Sequence, residues 1–296
     1  LNAAAALANA CATRKESRDY LHSVGGMGAL AALISSCTSE TMTSTSILNS
    51  AITEAASAVR NACIGHAANR EAFMKSRGVT TFVSVLNCDS PVPSSLREKH
   101  FAMQEQVVGA LRNVCNQHTR NCMHFAECDG VSSMMRLLSS PSVIVQEEVV
   151  GLIRNACVGY YGNKDHMTQC GAFWSFSQMM NDPTLSVAVR DGIISTVRYA
   201  SVGHEVNQQA AGEAGLIRAL VAVLHAFNTG HLRSLHAVLD EGDMRVKTES
   251  AACLRILCDE SESNSAEMVK CHGIPALLEV LASGHTAAKE EAIAAL

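Results

Sequence analysis

The residues in this chain best suited to chemistry are arginines and asparagines that recur side by side. The pairs Arg60-Asn61, Arg112-Asn113 and Arg154-Asn155 share one frame with Arg198-Tyr199, with Arg255-Ile256 and with an earlier asparagine, Asn9. A guanidinium presents a planar fork of donors that binds carboxylate or phosphate bidentately. A primary amide both donates and accepts, so it can pair with the backbone of another chain. Acids precede the pairs in the same runs, at Glu54, Glu105, Glu147, Glu148, Asp191 and Glu249. They suit the positive end of a helix. They also offer the arginines partners within the protein, so a structural ion network stands beside ligand contact as a reading of the arginine column. The asparagine column points more to function, because a mid-helix amide has poor helix propensity and needs a hydrogen-bonding reason.

Other reactive side chains yield less. His118/Cys122 and His124/Cys128 are two i,i+4 pairs, a spacing that places two ligands on one helix face. Yet Cys122 and His124 are about 200° apart around a helix, so the two pairs cannot close on one ion. Cys11, Cys63, Cys115, Cys157 and Cys258 each fall two residues after the asparagine position, where the remaining unit has Ser201; Cys128 and Cys271 share a second frame before a glycine. Small residues in one column predict a tight helix-helix contact with free thiols, hence a reducing compartment. No G-x-S-x-G, Walker-type, G-x-G-x-x-G or H-E-x-x-H motif occurs, so neither catalysis nor a cofactor is expected. His66, His118 and His204 hold similar places after a helical run, as capping or solvent residues.

These columns must be positioned by a repeated element. Each arginine position closes an apolar helical run: AASAVRNAC, VVGALRNVC, VVGLIRNAC, ISTVRYASV, AACLRILCD. The runs alternate with glycines at Gly26, Gly78, Gly130, Gly171, Gly215 and Gly273, each followed by a second apolar stripe such as GVTTFVSVL or GIPALLEVL. A large apolar residue (Leu21, Phe73, Phe125) often stands five positions before the glycine. The unit therefore reads as a short helix, a glycine corner that takes positive φ, a second helix, a loop, and a long third helix ending at the arginine-asparagine position. Such units stack into an open-ended array.

The glycine corner followed by an apolar helix, then a third helix ending as in GALRNVC, resembles the armadillo repeat over essentially the whole chain. The resemblance implies an all-α, right-handed solenoid of about six three-helix repeats over residues 1–296. Its third helices would line a concave groove in which the recurrent asparagine holds the backbone of an extended peptide. Importin-α-type members carry Trp four residues before the asparagine. Here those positions are Ala5, Ser57, Gly109, Gly151, Ser195 and Ala252, so lysine-slot recognition is not expected. Arg directly before Asn is more similar to the catenin side of the family, whose grooves take acidic or phosphorylated segments. The implied site comprises Asn9, Arg60, Asn61, Arg112, Asn113, Arg154, Asn155, Arg198, Tyr199 and Arg255, with the clamp strongest over residues 55–160.

The remaining expectations concern organisation. Residues 35–50, 88–100 and 225–243 lengthen the loop before a third helix, and both ends are read as cut inside a repeat. The apolar stripe Leu232, Leu235, Val238, Leu239 marks the third insertion. A net charge of −5 argues against a nucleic-acid surface over the whole molecule. No apolar run reaches the length of a membrane span. The expected protein is a cytoplasmic, non-catalytic scaffold or adaptor that binds an extended acidic protein segment, with self-association or further repeats at its ends. The alternatives are an architectural component of a cytoskeletal or ciliary assembly, and an exchange-factor or chaperone-like solenoid for a folded client.

Overall fold

The computed structural model describes residues 2–39, 46–88, 92–229, 239–282 and 285–296. Among these residues the regular structure is helical throughout, 19 α-helices and one 3₁₀ turn at Ser94–Leu96. They form two compact units, residues 1–163 and 164–296. In the first, α1 (Asn2–Thr13) precedes three triplets: α2 (Lys15–Ser23), α3 (Gly26–Ser39), α4 (Ser46–Ala62); α5 (Ala67–Lys75), α6 (Gly78–Leu86), α7 (Arg97–Cys115); α8 (Thr119–Glu127), α9 (Gly130–Leu137), α10 (Val143–Gly159). The boundary falls inside α11 (Gly162–Gln169), whose residues from Lys164 on belong to the second unit with α12 (Ala172–Met180), α13 (Val187–Ser201); α14 (Glu205–Glu213), α15 (Leu216–Asn228), α16 (Leu239–Cys258); and α17 (Glu262–Lys270), α18 (Gly273–Ala282), α19 (Thr286–Ala295). Short helix, second helix and long third helix alternate as the sequence predicts.

Third helices pack against third helices: α1 on α4, α4 on α7 and α7 on α10 in the first unit, α13 on α16 and α16 on α19 in the second. Their inner faces are sealed from water, as Val107, Val108, Leu111 and Val114 of α7 illustrate. Each such side chain contributes roughly 1.5–3 kcal/mol of hydrophobic stabilisation. The cysteine column is core, with Cys11, Cys63, Cys115, Cys157 and Ser201 all buried, whereas Cys258 is only half-buried. Burial pushes the Cys63 thiol up to about 12.

The glycine corners work differently from the expectation at most positions. Gly171 and Gly215 do adopt positive φ. At Gly78, Gly130 and Gly273, however, the left-handed residue is the one before: Arg77 (φ 57°), Asp129 (φ 58°) and His272 (φ 64°). The glycine is then the first residue of the second helix, and a β-carbon there would overlap the ring of Phe73 or Phe125, or Met268. Gly26 likewise abuts Leu21. The large residue five positions earlier lies flat on the glycine, so close approach rather than backbone freedom selects glycine here.

The expected insertions are partly helical. α3 continues through Ser39 and α4 starts at Ser46, so only 40–45 of the first stretch lie outside the described residues. In the second stretch α7 begins at Arg97. In the third, α15 ends at Asn228 and α16 begins at Leu239; Leu232, Leu235 and Val238 lie outside the described residues.

Candidate functional site

The apolar pattern that buries Val107, Val108, Leu111 and Val114 turns Arg112 and Asn113 to the opposite, half-exposed side of α7. The same phase holds on α4 for Arg60 and Asn61, and on α10 for Arg154 and Asn155. The first unit thus brings six of the expected residues together on three adjacent helices. Asn9 is exposed on α1 of the same unit.

The three asparagines repeat one geometry. Asn61 Nδ2 donates to the carbonyl of Ala8 at 2.9 Å, Asn113 to that of Arg60 at 2.9 Å, and Asn155 to that of Arg112 at 3.1 Å. Each amide is therefore hung from the preceding third helix; Arg60 and Arg112 lie in its last turn, where carbonyls lack intrahelical partners, and Ala8 lies one turn further inside α1. One Nδ2 hydrogen and the Oδ1 of each have no hydrogen-bond partner among the described residues. This fixes the rotamer and leaves a donor and an acceptor on the half-exposed face.

The arginines are engaged. Arg60 Nη2 lies 2.5 Å from Oε1 of Glu148, and Arg112 Nη1 lies 3.1 Å from Oε2 of the same carboxylate. To reach α10 from α4, the Arg60 guanidinium crosses Gly109 of α7; a β-carbon there would stand 2.7 Å from Cζ. Arg112 crosses Gly151 of α10 in the same way, 2.7 Å from Nε. The positions where importin-type repeats carry tryptophan are therefore seats for the preceding arginine. Glu148 has a side chain only 10% exposed, against 28% for Arg60 and 37% for Arg112. Two guanidiniums sharing one carboxylate retain N–H donors that the pair does not use. Beside them, burial pushes the Glu147 carboxyl up, reinforced by repulsion from Glu148 and opposed by Arg112.

In the second unit the pairing is one to one. Arg198 grips Glu249 of α16 bidentately, Nε to Oε2 at 2.9 Å and Nη2 to Oε1 at 3.1 Å, and its Cζ sits 4.3 Å above the Tyr199 ring. Arg255 Nε meets Glu291 Oε2 of α19 at 3.0 Å. The ion-network reading therefore describes Arg60, Arg112, Arg198 and Arg255.

A second asparagine ladder was missed. Asn69, Asn121, Asn163, Asn207 and Asn264 are buried, and each Nδ2 bridges two carbonyls, one at the end of its own unit's preceding helix and one in the short helix before. Asn121 donates to Val114 at 2.8 Å and Arg70 at 3.2 Å, and Asn207 to Ala200 at 2.8 Å and Lys164 at 3.0 Å. The signal was available, since each stands eight residues after a first-ladder position. The histidines prove to be caps. Nδ1 of His66, His118 and His204 accepts the N–H of Asn69, Asn121 and Asn207, while Nε2 faces Asp19, Glu71 and Asp165. His118 and Cys122 are thereby committed to the turn, Cys122 Sγ lying 3.1 Å from the Cys115 carbonyl. His124 pairs with Glu127.

No protein-family model and no curated protein matches the chain. Its likeness is to solved structures. An engineered protein superposes with a TM-score of 0.81 at 20% identity, over 99% of this chain and 62% of that one. The designed armadillo repeat protein YIII(Dq)4CqI gives 0.69 at 16% identity, covering 89% of this chain and 97% of its own. Computationally designed armadillo repeat proteins for modular peptide recognition give 0.71 at 16%, covering 91% and 98%. The chain spans about three-fifths of the first of these. The likeness establishes the fold, an α-solenoid of armadillo repeats.

Proposed function

We propose that the third-helix face of the first unit holds an extended segment of a partner protein, clamped along its backbone by Asn61, Asn113 and Asn155. The chain would serve as a non-catalytic scaffold. The observation that carries this reading is the set of three amides on α4, α7 and α10. Each is anchored through one Nδ2 hydrogen, with a donor and an acceptor left over. Groups held in place before binding lose little entropy when the ligand arrives. Designed proteins of this fold made for modular peptide recognition support a peptide as the ligand class.

The charge of the segment has to be argued from this chain, because one such design is complexed with a (KR)4 peptide. Here Arg60 and Arg112 share the single carboxylate of Glu148 and so keep guanidinium donors to spare, with Glu147 beside them, whereas Arg198 and Arg255 each have a carboxylate of their own. The reading is therefore an acidic side chain facing the trio, with backbone clamping on either side. The test is a partner recovered by affinity purification, titrated against the triple substitution Asn61→Ala, Asn113→Ala, Asn155→Ala. Losing three amides at about 1 kcal/mol each weakens binding by roughly a hundredfold. Unchanged binding at unchanged stability refutes the proposal.

A further inference from the structure

On a different face of the second unit, a groove of about 580 Å³ runs between the end of α11, the length of α14 and the turn into α17. Its lining is one-sided in charge. Glu205, Glu213 and Glu260 contribute carboxylates, Thr168, Gln208 and Gln209 contribute polar groups, and no Lys or Arg lines it. Glu213 is the last residue of α14 and adds to the negative end of that helix, whereas Glu205 opens α14 and Glu260 lies between the end of α16 and the Ser261 cap of α17. All three glutamates are exposed, and none forms an ion pair among the described residues.

The second observation is Gln208, which lines this groove although it is only 6% exposed. In three other repeats the side chain at this position, directly after the buried asparagine, is satisfied by the carbonyl seven residues earlier, while Lys164 reaches the Val202 carbonyl instead. Arg70 Nε donates to Cys63 at 3.1 Å, Cys122 Sγ to Cys115 at 3.1 Å and Ser265 Oγ to Cys258 at 3.3 Å. Gln208 forms no such bond to Ser201, and its side-chain amide has no partner among the described residues. Held at the floor of the groove but still touching solvent, this amide offers an incoming donor an acceptor that is fixed in advance. The carboxylates do not gather tightly enough for a metal: among the described residues no group of three His, Cys, Asp or Glu could hold one ion.

We propose that this groove binds a basic segment of a partner protein, with a lysine or arginine head donating to Oε1 of Gln208 and flanking cations paired with Glu205, Glu213 and Glu260. Such a ligand is opposite in charge to the one read for the first unit, so the two sites select different segments.

The test uses the full chain and two labelled, end-blocked octapeptides, one alternating Lys and Arg and one of Glu, followed by fluorescence anisotropy at low and physiological salt. The basic peptide should bind, with an affinity that falls as salt rises. Replacing Glu205, Glu213 and Glu260 together by Gln should weaken it about tenfold, and Gln208→Leu several-fold, with the thermal melt checked for each. The Asn61/Asn113/Asn155 alanine variant should bind it normally, which separates this site from the first. Three results would each overturn the proposal: no binding of the basic peptide, the same affinity in the triple glutamine variant, or its loss in the asparagine variant.

Discussion

Replacing Glu148 by Gln separates the two roles of the arginine column. The carboxylate receives Arg60 at 2.5 Å and Arg112 at 3.1 Å with a side chain 10% exposed. A charge-assisted hydrogen bond contributes about 1.5–3 kcal/mol when buried. Both guanidiniums are partly solvated, and the amide keeps one weaker acceptor bond, so the loss is discounted to about 1–2 kcal/mol in all. Urea unfolding should show it as a lower midpoint at unchanged slope. The same substitution raises the local net charge by one and frees a guanidinium. Affinity for an end-blocked Glu octapeptide should then rise about three- to tenfold, roughly 0.7–1.4 kcal/mol, with a steeper salt dependence. Anisotropy at two ionic strengths reads both. A fall in stability with no gain in affinity would refute the claim that these arginines face a ligand, leaving them as cross-braces. No fall in stability would refute the ion pairing itself.

The two asparagine ladders should respond oppositely. Asn121→Ala removes two buried bonds and should cost about 2 kcal/mol of stability, whereas Asn113→Ala should cost about 1 kcal/mol and act chiefly on peptide affinity; urea unfolding beside anisotropy checks both. Partial desolvation raises Glu71, yet Lys75, Arg120 and His118 together hold it below its ordinary 4.5. A carboxyl depressed on folding stabilises above the unfolded pKa, and that contribution is lost as pH falls from about 4.5 through the lowered value. Glu71→Gln should therefore flatten the acid limb of the stability-pH curve measured by thermal melts. A thiol reagent under native conditions should modify exposed Cys88 in preference to buried Cys63, whose thiol stands at about 12, and should reach Cys63 only on denaturation.

Much of this was legible in sequence because it rests on strict spacing. The arginine-asparagine pairs mark third-helix ends, and the small residue two positions on, a cysteine or Ser201, is buried in every repeat but the one with half-buried Cys258. What escaped depends on distances between repeats. That Arg60 reaches past α7 to Glu148 follows from side-chain length and the missing β-carbon of Gly109, neither of which shows within one repeat. The glycine corners misled because glycine has two uses. Next to Phe73 and Phe125 it serves close packing, and Arg77 and Asp129 carry the left-handed turn. Within its own repeat Asn121 reads as an ordinary polar residue near a helix start, because one of its two acceptors, the Arg70 carbonyl, belongs to the repeat before.

The acceptors of both asparagine ladders are backbone carbonyls, and this bears on how such a chain diverges. The carbonyls belong to residues as unlike as Ala8, Arg60, Arg70 and Lys164. A joint that reads only the backbone places no demand on the side chain at the receiving position. A repeat that brings its own asparagines can thus be duplicated or exchanged without matching its neighbour's sequence. The first ladder is not required in every repeat, since Tyr199 and Ile256 stand at its positions in the second unit, while the buried ladder continues there at Asn207 and Asn264. Architecture is inherited through one set of atoms while specificity drifts through another.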